Sequence, residues 1–310
     1  MKNILSIDGG GIKGLIPAIL LTEIERGVGR PLHEVFDLVV GTSTGAALAG
    51  AIAMPVGLDM EKAQDLYREE GPRIFRNARN EIAQLVKPKY RGSNLYNVLK
   101  KYFGEVRLAS AQTKMMTTSY DVSGKWDDDG EPGPVLFKSW RESVADVKAV
   151  DAIQASAAAP TYFPPHRVDV PWKPGTRACL YDGGLFAGNP ALCAYGEGLR
   201  LFPGEELFIF SLGTGEHEAS TPCRHADGLI NVATKVTGWM LDGSADSVDY
   251  IVDKIIPSEI YVRFNHTLTR AVKMDDASEE TLALLDTIAR TFIADHPDRM
   301  QDVVDRLKGA

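Results

Sequence analysis

Twice within its first 53 residues the chain passes from a short apolar strand through a glycine-marked turn into a helix. Residues 3–7 read as the first strand, followed by Gly9, Gly10, Gly11 and Gly14. Leu15–Val28 then reads as a helix, with Pro17 acceptable in its first turn and Leu20, Leu21, Ile24 and Val28 on one face. Residues 36–40 form a second apolar run, and 42–53 a helix of small residues, Ala46, Ala47, Ala49, Gly50 and Ala51, suited to lying close against a sheet. Strands that alternate with helices at this spacing need crossover connections, so the pattern predicts an α/β fold with parallel strand pairs.

The remainder is coarser. Residues 59–70, 94–102 and 147–157 read as helices, and 115–120, 135–137 and Leu207–Leu212 as strands, with a polar turn at 127–134. Residues 278–293 predict an amphipathic helix, with Ser278 as N-cap and Leu282, Leu285, Ile288 and Phe292 on one face. With 310 residues, 44% of them hydrophobic and 25% charged, the chain is long enough to bury a substantial core. The net charge of −8 disfavours nucleic-acid partners, which select a basic face. Cys179, Cys193 and Cys223 have no metal-like spacing and suit a reducing compartment. No apolar run reaches about 18 residues, and Asp8 interrupts the N-terminal one, so neither a membrane span nor a signal peptide is expected.

Three glycine-marked sites carry chemistry. Gly9-Gly10-Gly11-Ile12-Lys13-Gly14 satisfies G-x-G-x-x-G between a strand and a helix. A dinucleotide site would also need a carboxylate near the end of the second strand, where this chain has Val39-Val40-Gly41-Thr42-Ser43. A plain tight turn, or N–H groups presented to a developing oxyanion, are the other two readings. Gly41-Thr42-Ser43-Thr44-Gly45 is G-x-S-x-G after a strand and before a helix, the context of a nucleophile elbow. The bland reading is a serine capping an Ala-rich helix. Asp182, before Gly183 and Gly184, reads equally as a turn residue or as a carboxylate held at a strand end. A nucleophilic serine usually has a histidine base, but His33, His166, His217, His225, His266 and His296 sit in no persuasive motif; His266 and His296 are the candidates for a triad. The group His217, Glu218, Cys223 and His225 reads as a polar loop in preference to a metal site.

Taken together, Asp8 to Gly14, Gly41 to Gly45 and Asp182-Gly183-Gly184 resemble the patatin-like phospholipase family. So do the segment from Ala155 to Pro164, Asn189-Pro190, and the run from Ser211 to Gly215. The match runs in order from about residue 3 to 216, which sets the expected division into a catalytic core at 1–216 and a C-terminal helical part at 217–310 packed on the same domain. The resemblance implies a three-layer α/β/α fold with a mostly parallel central sheet. It implies a Ser–Asp dyad without histidine: Ser43 as nucleophile, Asp182 as base, and Gly9, Gly10 and Gly11 as the oxyanion hole. Gly14, Gly41, Gly45, Gly183 and Gly184 would support those motifs. No metal or organic cofactor is implied.

The expected activity is hydrolysis of phospholipid or related acyl esters by a cytoplasmic protein that touches the inner membrane face peripherally. Two other readings fit the same residues. One is an effector hydrolase switched on by a nucleotide signal or a partner, with a homo-oligomer compatible with either hydrolase. The other is an idle lipid-binding or storage protein. Residues 68–91, with Arg68, Arg73, Arg76, Arg79, Lys87, Lys89 and Arg91, are expected either to form a basic, partly mobile flap near the site that meets anionic head groups or an anionic activator, or to be solvated helix faces over a normal core.

Overall fold

The computed structural model describes residues 1–84, 86–217 and 229–309. Its centre is an eight-stranded sheet in the order β5-β6-β3-β2-β1-β7-β8, with β4 paired to β3 off this path. The strands are β1 (Lys2–Ile7), β2 (Leu38–Gly41), β3 (Lys114–Asp121), β4 (Gly133–Lys138), β5 (His166–Asp169), β6 (Arg177–Asp182), β7 (Leu207–Leu212) and β8 (Tyr261–Phe264). Neighbours from β3 through β2, β1 and β7 to β8 run parallel, and β4, β5 and β6 pair antiparallel.

Successive side chains of a strand point to opposite faces, and here both faces are covered. Leu5, Ile7, Val39, Phe208, Phe210 and Leu212 pack into one apolar cluster, on the side of α1 (Leu15–Val28) and α2 (Thr44–Ala53). Ile4, Leu38, Val40, Leu207 and Ile209 pack into the other, against Ala191, Ala194, Val248 and Val252 of the Ala191–Leu201 and Leu229–Ile255 helices. The result is the three-layer α/β/α arrangement. A strand buried on both faces reads as a continuous apolar run, which is why β1, β2 and β7 are legible in the sequence.

Boundaries differ by a few residues from the sequence reading. The expected helix at 59–70 is broken into Met60–Ala63 and Asp65–Arg68. Residues beyond 217 are more than helical, because β8 extends the same sheet beside β7. The Glu279–Asp295 helix, capped by Ser278 as expected, packs on α1. No helix among the described residues is long and apolar enough to cross a membrane.

One register decides where the site lies. Gly41 of β2 pairs with Thr117 of β3, and Asp182 of β6 pairs with Ser119. Thr117 and Ser119 each also pair with β4, on the opposite edge. Strands β2 and β6 therefore occupy the same edge of β3 in succession, β6 entering where β2 ends. That edge brings the end of β6 against the turn that follows β2.

Candidate active site

Ser43 stands between β2 and α2 with φ of 55° and ψ of −118°, a conformation that a residue with a Cβ rarely adopts. Holding it there costs of order 1–3 kcal/mol and requires surrounding structure that fixes it. The flanking glycines supply room: a Cβ on Gly41 would collide with the Gly45 carbonyl, and one on Gly45 with the carbonyl of Ile7. Neither glycine has positive φ, so close backbone approach, not turn conformation, selects them. The Ser43 N–H donates to Ser156 Oγ at 2.9 Å, and the side chain is not capping α2. The capping reading of the serine therefore fails, and the elbow reading has the strained backbone it requires.

Asp182 is fully buried. Its Oδ1 accepts the Gly184 N–H at 2.8 Å. Its Oδ2 has no closed hydrogen bond among the described residues. Among the described residues Ser43 is the one side chain near enough to favour the ionised form through its hydroxyl, so the serine lies beside the carboxylate without closing a hydrogen bond to it. Burial dominates and pushes the Asp182 carboxyl up to about 7, against which the Gly184 N–H and the Ser43 hydroxyl act weakly. A Cβ on Gly183 would collide with Thr118 of β3, so the small residue after Asp182 keeps β6 seated on its neighbour.

The segment from Ala155 to Pro164 ties both residues down. Besides Ser156 on the Ser43 N–H, the Ala158 carbonyl accepts the Asp182 N–H at 3.1 Å. Thr42 Oγ1 lies 2.7 Å from Thr118 Oγ1 and donates to the Ala187 carbonyl at 2.7 Å, linking the elbow to the turn after Asp182.

The glycine loop packs directly on the serine: a Cβ on Gly9 would lie 3.3 Å from Ser43 Cβ. Its N–H groups differ in use. Gly9 donates to the Gly188 carbonyl at 2.9 Å. Gly10 and Gly11 have no acceptor among the described residues. Gly11 has φ of +60°, and a Cβ there would collide with the Met274 carbonyl, so glycine is required on both counts. Thr214, from the run Ser211 to Gly215, donates to the Gly9 carbonyl at 2.8 Å, and the Lys13 ammonium, held below its usual range by burial, reaches the Gly215 carbonyl at 3.3 Å. Gly14 packs against Thr44 and Tyr67 with no room for a Cβ.

An apolar cavity of about 90 Å³ opens from Ser43, walled by Ile12, Phe75, Leu99, Phe163 and Met274. No described histidine hydrogen-bonds to Ser43 or Asp182. His266 and His296 both pack on the Phe292 ring, at 4.1 and 4.6 Å between centroids, and burial holds the His266 imidazole down to about 4. His166 pairs with Asp151 at 2.8 Å. Glu218, Cys223 and His225 lie outside the described residues.

The profile of the Patatin-like phospholipase family matches residues 5–195, more than half of the chain. The chain belongs to the patatin-like phospholipase family. Patatin-15 and Patatin-06 of Solanum tuberosum are each 29% identical over 99% of this chain and 88% of their own length. Among solved structures, VipD from Legionella pneumophila aligns over 94% of this chain and 67% of its own, at 11% identity and a TM-score of 0.44. The type III effector protein ExoU aligns over 99% of this chain and 53% of its own, at 13% identity and a TM-score of 0.38.

Membership in the patatin-like phospholipase family carries acyl hydrolase activity in general terms. Two contributors to this patatin-like site lie beyond the matched stretch and have no sequence motif to reveal them. Met274 walls the cavity, and its carbonyl accepts the Ile12 N–H at 2.8 Å. Arg263 grips Asp8, the residue before the glycine loop, at 2.7 Å. The basic segment is also more engaged than its composition suggests. Arg68 pairs with Asp286, Arg73 with Glu70, Lys89 with Asp275, and Arg79 reaches the Pro88 and Tyr90 carbonyls. Ile74 and Phe75 turn inward to the cavity, while Arg76, Lys87 and Arg91 remain exposed. Leu85 and the side chain of Ile82 lie outside the described residues.

Proposed function

We propose that this protein is a lipid acyl hydrolase that works with a Ser43–Asp182 dyad. The observation that carries the reading is the strained Ser43, set at the mouth of an apolar cavity beside a buried carboxylate whose second oxygen has no other partner. Asp182 takes the proton as Ser43 Oγ attacks the ester carbonyl. The tetrahedral oxyanion forms against the N–H groups of Gly10 and Gly11, since that of Gly9 is already donated. Collapse expels the alcohol, which leaves with the proton returned by Asp182. Water then attacks the acyl-serine, giving its proton to Asp182; collapse frees the acid and restores the serine.

A carboxyl held near 7 suits both halves of this cycle, because a general acid–base group works best with a pKa close to the ambient pH. The apolar walls accept the acyl chain, and the exposed Arg76, Lys87 and Arg91 suit contact with an anionic lipid surface by a protein attached peripherally. The test is to label the protein with a fluorophosphonate, map the adduct, and follow turnover of soluble acyl esters and phospholipid vesicles. We expect an adduct on Ser43 alone and no turnover in Ser43→Ala. Labelling elsewhere, or activity retained in Ser43→Ala, would overturn the assignment.

A further inference from the structure

We infer that Arg263, on β8 and outside the stretch matched to the family, is a positioning residue that sets the oxyanion loop by holding Asp8. This deepens the acyl-hydrolase reading above and rests on it. The Arg263 side chain is only 13% exposed and that of Asp8 5%. The guanidinium uses its whole fork. Nη2 donates to Asp8 Oδ2 at 2.7 Å and Nη1 to Oδ1 at 3.3 Å, a two-point grip that fixes the carboxylate plane. Nη1 also donates to Ser211 Oγ at 2.9 Å, and Nε to Asp249 at 3.1 Å.

Those partners lead to both halves of the site. Asp8 directly follows β1, and its next residues are Gly9, Gly10 and Gly11. Ser211 stands on β7 just before Thr214, which holds the Gly9 carbonyl. Asp249 accepts Asn189 Nδ2 at 2.6 Å, and Asn189 Oδ1 in turn accepts the Ala191 N–H at 2.9 Å, in the turn that follows Asp182. One buried cation thus connects the oxyanion loop with the segment that carries the base.

Stability does not explain such a cluster. A buried ion pair roughly breaks even against apolar residues of the same volume, because desolvation offsets the attraction. Geometry does explain it. Oxyanion donors act over 2.7–3.1 Å, so a shift of a few tenths of an ångström in the loop weakens them. A lysine would keep the charge but lose the planar fork.

The experiment compares Arg263→Lys and the neutral pair Asp8→Asn/Arg263→Gln with the wild type on one soluble ester. The second variant leaves no uncompensated charge on Asp8, and Asp249 retains Asn189 and solvent. Active sites are counted by exhaustive fluorophosphonate labelling of Ser43, so that kcat is expressed per competent site. A residue needed only for folding would lower the number of sites and leave kcat per site unchanged. We expect kcat per site to fall about 10-fold or more in both variants, with KM within about two-fold, since neither Asp8 nor Arg263 lines the acyl pocket. The neutral pair decides if Arg263→Lys does not fold. Retention of kcat within about two-fold would overturn the inference. A wild type that hydrolyses no ester, or a Ser43→Ala variant as active as the wild type, would instead overturn the hydrolase reading, which separates the two failures.

Discussion

Asp182→Asn should abolish hydrolysis and stabilise the protein at the same time. The wild-type carboxyl is buried, with its pKa raised from 3.8 to about 7. In the unfolded chain it ionises near 3.8; in the folded protein it holds its proton until about pH 7. A raised carboxylate pKa means that stability is fully present below the unfolded value and is lost as pH rises through the folded one. The shift of about 3 units corresponds to about 4 kcal/mol of stability lost by pH 8, and roughly half of that by pH 5.5. Asparagine has no charge to bury. Its Oδ1 replaces the acceptor of the Gly184 N–H, and its amide donates toward Ser43 Oγ, where Asp182 Oδ2 has no closed bond. The gap between variant and wild type should therefore grow from near zero below pH 4 to about 4 kcal/mol at pH 8, or on the order of 5–15 °C in Tm for a chain of this size. Urea or thermal melts at pH 4, 5.5 and 8, with ester hydrolysis measured on the same samples, test it. A variant no more stable than the wild type at pH 8, or a gap that does not change with pH, would refute the account of Asp182 as a carboxyl whose ionised form is disfavoured by burial.

Four further outcomes follow from the same geometry. Ester hydrolysis in the wild type should rise as pH passes through about 7 and then level off, because in the proposed dyad Asp182 must be ionised to accept the Ser43 proton; a profile centred near 4 would mean an unperturbed carboxylate. Ser43→Gly should abolish fluorophosphonate labelling yet raise stability by about 1–3 kcal/mol, through relief of the positive-φ strain, as read by denaturant midpoint. Ser156→Ala removes the acceptor of the Ser43 N–H and should cost about 1–3 kcal/mol together with a fall in kcat, whereas a neutral result in both would show that the elbow is held by other contacts. Leu99→Ala should shift preference toward longer acyl esters, since Leu99 walls the apolar cavity and its truncation deepens it; a chain-length series on one alcohol reads this out, and an unchanged optimum would place the acyl chain elsewhere.

The sequence discloses the site wherever chemistry and backbone constraint coincide in a short run. The Gly41-Thr42-Ser43-Thr44-Gly45 segment needs space on both sides of a strained serine, and only glycines provide it, so the pattern survives as a motif. The buried strands are legible because both of their faces meet helices. Residues 59–70 read as one helix because helical spacing alone does not show the break between Ala63 and Asp65. The different use of the loop N–H groups is hidden because it depends on the Gly188 carbonyl, far along the chain. Arg263 and Met274 are invisible for the same reason: each acts across the sheet or across a cleft, and nothing in its immediate neighbourhood in sequence marks it. The basic segment misleads through composition, since Arg68 and Lys89 meet Asp286 and Asp275, carboxylates that the linear order does not place nearby.

The succession of β2 and β6 along one edge of β3 makes activity a test of strand registry. Alternate residues of a strand face opposite sides of a sheet, so sliding β6 by a single residue against Ser119 would send the Asp182 carboxylate to the far side. A molecule misassembled in this way would keep its helices, its apolar interior and Ser43, and would lack the proposed base. Spectroscopic helix content would therefore not distinguish the two populations, whereas turnover counted against labelled serine would.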